Sequence, residues 1–292
     1  MTSGAYIAVD WGTTNRRAWL VDHDGTVLDT RREGRGVLSI AADAYPREIA
    51  DLRDTLGTWP IYAAGMIGST RGWHEAPYVD APASLATLVE GALRLPDDVV
   101  IIPGVALRSG GRADVMRGEE VQALGAIAAG LAPSDALFAQ PGTHNKWIEM
   151  RDGRIERFAT AMTGELFALL RDHGILVGML DDPVVDGLAF HDGLARGLGA
   201  RDLTVALFEV RAQVLLGTRV AKDAAAFASG ILIGADVGSR DAIAGRDVHL
   251  LATGAMARLY ATAIAVAGGQ TVPIDSDTAF LAGMHAIWKM SS

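Results

Sequence analysis

The chain has 292 residues, half of them hydrophobic, with no cysteine and a formal net charge of −9. This length allows about two domains with sizeable cores. The absence of cysteine excludes disulfides, thiolate metal sites and a cysteine nucleophile, and it is typical of a reducing cytoplasm. An acidic chain without a basic run is a poor candidate for binding nucleic acid or an anionic membrane. With no signal peptide and no apolar stretch of spanning length, we expect a cytoplasmic protein.

The pattern of apolar residues predicts a series of strands and helices that starts twice. The first series has a helix over 45–56 and strands at 5–9, 17–21, 26–31, 61–63 and 99–103. The second has strands at 136–139, 146–150, 154–159, 248–252 and 271–274. Its helices are expected at 119–129, 164–173, 186–197, 204–216, 222–243, 254–267 and from 278 onwards.

Two segments repeat one local pattern. The first reads YIAVDWGTTNRRAWLVDHDG and the second ALFAQPGTHNKWIEMRDG. In each, an apolar strand ends in a Gly-Thr-Xaa-Asn turn, and a second strand runs on to an Asp-Gly turn, a frequent hairpin connection. Either the repeat is a coincidence, or the protein contains a duplicated domain with one such hairpin in each half.

The two Gly-Thr turns have the chemistry of a phosphate-binding site. Glycine permits close approach of the backbone, threonine adds a hydroxyl donor, and clustered backbone N–H groups bind phosphate oxygens. Two such turns facing each other across a cleft would hold the phosphates of one nucleotide from both sides. The cofactor-binding residues predicted on this basis are Gly12, Thr13, Thr14, Asn15, Gly142, Thr143, His144 and Asn145.

Several blocks of sequence resemble a known family. DWGTTNRRAWL, PGTHNKW and LLATGAMARLY resemble, in the expected order, the two phosphate motifs and the adenosine motif of the sugar kinase, hexokinase, Hsp70 and actin superfamily. With AGMIGSTRGWHEAPY, VMRGEEVQALGA and DTAFLAGMHAI, nearly the whole chain resembles the 2-dehydro-3-deoxygalactonokinase family. The resemblance implies an α/β fold with two ribonuclease H-like domains of the actin-like ATPase/sugar kinase type and an interdomain cleft. Residues 1–112 would carry the first phosphate motif and the sugar-acid site, and residues 113–292 the second phosphate and adenosine motifs.

The same resemblance implies an activity. It is the phosphorylation of 2-dehydro-3-deoxy-D-galactonate at O6 by ATP with Mg²⁺, and a homodimer is a plausible assembly. Three alternatives remain open from the sequence. They are a kinase for another sugar or keto-deoxy sugar acid, a non-catalytic nucleotide-binding regulator of the same fold, and an actin-like filament protein.

The resemblance also assigns roles on the nucleotide side. Asp10 would hold Mg²⁺, which suits a single carboxylate with phosphates and waters, although an aspartate here also suits a simple turn. Gly254 and Ala255 would lie against the adenine. Lys146 would be catalytic, offsetting charge on the transferring phosphoryl group.

The residues proposed for the acceptor side lie mainly in the first half. Strand alternation places Arg16 and Arg17 on opposite faces, so at most one of them points into the cleft, and we assign Arg17 to the substrate. The general base is expected at Glu119, or else at Glu120, although glutamate in a first helical turn also complements the helix dipole. The other predicted substrate residues are Met66, Ser69, Trp73, Arg117 and Arg211.

Overall fold

The computed structural model of the chain describes residues 4–108, 111–199, 201–240 and 243–291. The strands within these ranges are β1 (Ala5–Trp11), β2 (Arg16–Asp22), β3 (Val27–Glu33), β4 (Ile61–Gly65), β5 (Val79–Asp80), β6 (Leu93–Leu95), β7 (Val99–Ile101), β8 (Val105–Leu107), β9 (Asp114–Met116), β10 (Ala136–Gln140), β11 (Asn145–Arg151), β12 (Arg154–Ala161), β13 (Asp247–Leu251) and β14 (Gln270–Ile274). The helices are α1 (Tyr45–Leu56), α2 (Leu85–Glu90), α3 (Glu119–Ala128), α4 (Thr163–His173), α5 (Leu188–Leu198), α6 (Leu203–Leu215), α7 (Ala224–Gly238), α8 (Gly254–Val266) and α9 (Ser276–Ser291). Short 3₁₀ turns cover Val37–Ser39, Met66–Gly68 and Ala221–Asp223.

The first sheet has six strands in the order β3-β2-β1-β4-β7-β6. β1 pairs antiparallel with β2 and parallel with β4, and β4 pairs parallel with β7. β1 and β4 are buried almost throughout because other elements cover both of their faces, which explains their nearly continuous apolar sequences. Both β1 and β4 therefore end at the same edge, where Asp10 and Gly65 lie.

The second sheet repeats this order. Its five strands run β12-β11-β10-β13-β14, so that each repeat has a third, second and first strand followed by later strands, three in the first sheet and two in the second. β10 pairs parallel with β13, and β13 with β14. This shared order supports the interpretation of the sequence repeat as two related folding patterns, and it is unlike a chance match of two hairpins. A small third sheet has the order β5-β8-β9.

The chain divides into two compact units. The first comprises residues 1–136, 148–158 and 275–292, and the second residues 137–147 and 159–274. These units do not follow the predicted boundary after residue 112, since β9, α3 and the last helix belong with the first half. The tip of the β11–β12 hairpin also belongs to the first unit, because Ala83 and Ile155 exchange backbone hydrogen bonds of 2.8 and 3.0 Å.

Glycine allows close helix packing inside each unit. In the first, α3 and α9 approach so closely that a side-chain carbon on Gly125 would lie 2.0 Å from the Ala279 carbonyl oxygen. In the second, a carbon on Gly193 would lie 2.2 Å from the carbonyl oxygen of Phe227, where α5 crosses α7. The α3–α9 contact explains why a C-terminal helix stabilises the N-terminal unit.

The predicted elements are confirmed to within a few residues, apart from the helix expected over 222–243. That segment begins as a 3₁₀ turn, and α7 ends at Gly238. Residues 241 and 242 of the prediction lie outside the described residues. None of the helices in the described ranges is long and apolar enough to cross a membrane.

Candidate functional site

The first Gly-Thr turn joins β1 to β2 and is held from behind. The carbonyl oxygens of Gly12, Thr13 and Thr14 accept hydrogen bonds of 3.0–3.2 Å from backbone N–H groups of residues 36–38. Gly36 is required there, because a side-chain carbon would lie 2.3 Å from the Thr13 carbonyl oxygen. The N–H groups of Thr13 and Thr14 have no backbone acceptor among the described residues, and both residues are exposed. The turn therefore presents donors to solvent, as an anion-binding loop must.

The second Gly-Thr turn joins β10 to β11 and is held in the same way. The N–H of Glu165 donates to the Thr143 carbonyl oxygen at 3.0 Å. A side-chain carbon on Gly164 would lie 2.6 Å from the Gly142 carbonyl oxygen. His144 Nε2 lies 2.7 Å from Oε2 of Glu165, which fixes the outer side of the turn. In both repeats the supporting glycine is the third residue after the third strand.

Two residues of the second motif point inward. Asn145 is fully buried, and its Nδ2 donates to Asp236 at 2.6 Å. Lys146 is 5% exposed, and its Nζ donates to the Thr160 hydroxyl at 2.7 Å. Asn15, the counterpart of Asn145, is exposed instead. Asn145 therefore presents no exposed atom to a phosphate here, and the roles predicted for both residues stay predictions.

A cavity of about 600 Å³ surrounds the first turn. Arg17 lies in it and forms ion pairs with Asp10 and with Asp277 at the start of α9. Burial raises the pKa of Asp10 above its usual value, and the neighbouring Arg17 cation partly opposes this shift. The residues lining the cavity are Asp10, Gly12, Thr13, Thr14, Asn15, Arg16, Arg17, Arg32, Glu33 and Gly34.

Arg16 and Arg17 have different surroundings, as strand alternation predicts. The side chain of Arg16 is fully buried and forms ion pairs with Glu33 at 2.5 Å and Glu48 at 2.8 Å. That of Arg17 is 32% exposed. Arg16 is thus a structural residue that fixes the start of β2, whereas Arg17 remains within reach of a ligand in the cavity.

The residues around Asp10 suit Mg²⁺. A divalent ion that keeps several waters needs one or two carboxylates and phosphate oxygens. Two carboxylates, Asp10 and Glu33, line the cavity beside the turn with open N–H donors, and Glu33 is paired with the buried Arg16. Asp10 and Asp277 are the carboxylates in contact with Arg17, and of these two only Asp10 lines the cavity. Asp10 is therefore the residue that would hold the ion.

Two glycines bring the start of α3 next to Asp10. A side-chain carbon on Gly65, at the end of β4, would lie 3.5 Å from Asp10 Oδ1. A carbon on Gly118, which caps α3 with φ of 110°, would lie 3.3 Å from the Gly65 Cα. Because Gly65 and Gly118 lack side chains, the carboxylate of Asp10 and the first turn of α3 lie next to each other.

The two glutamates at this junction differ in environment. Glu119 is half-buried, and its Oε2 accepts from the Arg117 N–H at 2.9 Å. Glu120 is fully buried, and both of its carboxyl oxygens lie 2.8 Å from the Gly118 nitrogen. Burial, reinforced by the Glu119 charge, raises the pKa of Glu120 from 4.5 to about 8. Glu120 is therefore largely protonated at neutral pH, which leaves Glu119 as the better proton acceptor.

The Arg117 guanidinium is buried with unused donors. Its Nη2 donates to the Ala76 carbonyl oxygen at 2.8 Å, and its Cζ lies 4.3 Å from the centre of the Tyr78 ring. Nε and Nη1 are buried and have no hydrogen-bond partner among the described residues. Since unpaired buried donors are costly, this side chain is poised for an acceptor that is not part of the fold.

The other predicted substrate residues lie in three places. Met66 and Ser69 belong to the turn after β4, where the Ser69 hydroxyl donates to the Met66 carbonyl oxygen at 2.7 Å. Trp73 stacks on Tyr45 with ring centres 5.9 Å apart and lines a separate groove beside α1. Arg211 lies on α6 in the second unit and donates to a backbone carbonyl of that unit. The structure thus places Arg211 in a different unit from the other five predicted substrate residues.

A second cavity, of about 130 Å³, lies inside the second unit beside the second turn. Gly142 of the turn and Met256 of α8, two residues after Gly254, both line it. Gly254 and Ala255 are themselves exposed at the start of α8. The lining residues are mostly apolar and comprise Gly142, Thr163, Gly164, Phe167, Val184, Ser229, Leu232, Ile233, Met256, Leu259 and Tyr260.

Sequence reasoning missed Gly36, Gly164 and Asp236. The shared position of the two glycines after the third strand is a signal that could have found them. Asp236 lies in an apolar helix, and an acidic residue in such a sequence indicates a buried carboxylate with hydrogen-bond partners.

Comparisons with known proteins agree with this geometry. A family model described as 2-keto-3-deoxy-galactonokinase matches residues 10–287. A protein of Escherichia coli (strain K12) named 2-dehydro-3-deoxygalactonokinase is 39% identical over 97% of each chain. A crystal structure from Sinorhizobium meliloti, described as a candidate 2-dehydro-3-deoxygalactonokinase, has a TM-score of 0.89 at 38% identity, covering 98% of each chain. Component A of the Acidaminococcus fermentans (R)-2-hydroxyglutaryl-CoA dehydratase shares the fold alone, with a TM-score of 0.53 at 13% identity over 99% of each chain.

Proposed function

Because this chain belongs to the 2-keto-3-deoxy-galactonokinase family, we propose that it transfers the terminal phosphoryl group of ATP to O6 of 2-dehydro-3-deoxy-D-galactonate. One observation in the first unit supports the proposal independently of family membership. A turn with open N–H donors, a buried carboxylate and a helix start bearing two glutamates lie together at one edge of one sheet. Phosphoryl transfer requires these parts, because it depends on positioning and on the stabilisation of charge.

On the nucleotide side, we infer that both Gly-Thr turns donate N–H groups to phosphate oxygens. Asp10 would hold Mg²⁺, which when bound neutralises charge on the phosphates. Since Arg17 now pairs with Asp10, it would turn to Asp277 or to an incoming anion when the ion binds. The mostly apolar cavity beside Gly142 suits a purine base, and Met256, which lines it, follows Gly254 and Ala255 directly in the chain.

On the acceptor side, Glu119 accepts the proton of the attacking hydroxyl. Its Oε2 is oriented by the Arg117 N–H, and no described residue donates to its Oε1. Arg117 supplies buried guanidinium donors for a sugar-acid carboxylate, and its two unused nitrogens, Nε and Nη1, support this role. Met66 and Ser69 would contact the sugar from the turn after β4. The substrate contact predicted for Trp73, which lines a separate groove beside α1, stays a prediction.

We also infer that the two units are ribonuclease H-like domains. The common strand order of the two sheets supports this, as does the glycine that backs each turn. A cytoplasmic location and a homodimer stay predictions, and size-exclusion chromatography with light scattering tests the latter.

An assay of ADP release, with and without sugar acids, tests the proposed activity. Release that depends on 2-dehydro-3-deoxygalactonate is expected. Faster ADP release with another keto-deoxy acid would identify that acid as the preferred substrate. No release despite ATP binding would favour a regulator. Similarity to a named kinase over nearly the full length does not favour the regulator.

A further inference from the structure

Asp236 is a buried carboxylate to which four side chains converge. It lies in the last turn of α7 and is 6% exposed. Its Oδ2 accepts from Asn145 Nδ2 at 2.6 Å and from the Tyr260 hydroxyl at 2.8 Å. The Thr163 hydroxyl donates to the same oxygen at 3.2 Å, and Trp147 Nε1 donates to Oδ1 at 2.9 Å. A carboxylate has about four acceptor sites, two on each oxygen, so with three donors on Oδ2 and one on Oδ1 most of this capacity is used within the fold.

The four donors come from the elements that surround the second turn and its cavity. Asn145 ends the turn, and Trp147 follows on β11. Thr163 starts α4, whose next residue, Gly164, supports the turn from behind. Tyr260 lies on α8, and both it and Thr163 line the 130 Å³ cavity. A single carboxylate therefore joins the turn, the segment that backs it and the cavity wall.

We propose that Asp236 is a positioning residue for nucleotide binding, a role that rests on the proposed function. Asp236 does not line the cavity itself, and it acts through the donors Asn145, Thr163 and Tyr260. Replacing the carboxylate leaves several buried donors without an acceptor, so the turn and the two helix segments lose their common anchor. The variant should therefore bind the nucleotide less tightly. The hydrogen bonds that hold the sugar-acid residues lie in the first unit and should not change.

The alternative is that Asp236 only stabilises the second unit. Its exchange would then lower the melting temperature but leave nucleotide affinity unchanged in the folded protein. The two roles therefore differ in one measurable quantity, the dissociation constant for ATP of variants that are shown to be folded. Circular dichroism and thermal unfolding establish the folded state first.

The test measures ATP binding by calorimetry and the KM values for both substrates. For Asp236→Asn we expect ATP binding about tenfold weaker or worse, a loss of 1.4 kcal/mol or more, with the KM for the sugar acid within about twofold of wild type. Asp247→Asn, an exposed aspartate of the same unit, is the matched control and should bind ATP like wild type. A folded Asp236→Asn protein with wild-type ATP affinity would overturn the proposal.

A second variant covers the case in which Asp236→Asn does not fold. Tyr260→Phe removes one donor and keeps the ring that lines the cavity, so a several-fold weaker ATP affinity is expected. Unchanged affinity in Tyr260→Phe would overturn the positioning role in that case. If wild-type protein itself binds no ATP, the proposed function fails, whereas binding by wild type with equal affinity in the variants contradicts only this inference.

Discussion

Gly164 lies against Gly142, so that a side-chain carbon at position 164 would come within 2.6 Å of the Gly142 carbonyl oxygen. The first repeat has the same relationship between Gly36 and Thr13, at 2.3 Å. In both places the backbone after a third strand presses directly on the turn between the first two strands. Three carbonyl oxygens of the first turn and that of Thr143 in the second are thereby used inside the fold, and the N–H groups of the first turn are left for a ligand.

Gly164→Ala should therefore weaken nucleotide binding. The added methyl group must push the second turn away, and overpacking of this kind costs about 1–3 kcal/mol. We expect ATP affinity to fall about tenfold, as measured by calorimetry, if about half of that cost is borne by the bound conformation. Gly199→Ala is the control, because that glycine has open space around it and an ordinary φ of −95°. Equal ATP affinities in the two variants would show that the contact does not shape the turn.

Glu119→Gln should abolish most of the turnover and leave nucleotide binding nearly unchanged. The amide cannot accept the hydroxyl proton, and a general base contributes about 10²–10⁴-fold. We expect kcat to fall by that factor with the KM for ATP little changed, in steady-state assays of ADP release. A kcat within about threefold of wild type would contradict the assignment.

Glu120 should affect stability rather than turnover, with a defined pH dependence. Its pKa in the folded protein is raised from 4.5 to about 8, so folding takes up a proton between these values. This carboxyl therefore makes the protein lose stability as the pH rises through that window. Glu120→Gln cannot titrate, so its melting temperature relative to wild type should increase from pH 5 to pH 8.

Thermal unfolding across that pH range measures the Glu120 effect. Glu90→Gln, at the exposed end of α2, is the matched control for the loss of one carboxyl group. A difference between Glu120→Gln and wild type that stays constant with pH, as it would for a simple change in packing, would contradict the raised pKa.

Asp10→Asn should remove the effect of Mg²⁺ on nucleotide binding. An amide oxygen is a much weaker ligand for a hard cation than a carboxylate. We expect wild type to bind ATP more tightly with Mg²⁺ than with a chelator, and the variant to show little difference. Asp29→Asn, an exposed aspartate of β3, is the control. A full Mg²⁺ effect in Asp10→Asn would place the ion elsewhere.

The strands, most helices and both turns could be predicted because their signals are local. Asp10, Gly12 and Gly142 stand in short motifs where an apolar run meets a turn. The elements that were missed, such as α2 and β5, are two to six residues long and too short for periodicity to be visible. Their positions depend on pairing with distant strands.

The supports of the site could not be predicted for a different reason. Asp236 meets Asn145 and Trp147 only because α7 packs behind β11, about ninety residues earlier in the chain. The return of α9 to the first unit, where Asp277 meets Arg17, is equally remote in sequence. Contacts of this kind follow from the assembled fold, and no local pattern of residues indicates them.

The central claim is that this chain phosphorylates a keto-deoxy sugar acid at its terminal hydroxyl. Phosphorus NMR of a reaction with ATP, Mg²⁺ and a panel of 2-keto-3-deoxy acids tests it most directly. We predict a new phosphomonoester signal, coupled to the C6 protons, that is strongest with 2-dehydro-3-deoxy-D-galactonate. Formation of inorganic phosphate alone, or of no ester with any acid in the panel, would contradict the account.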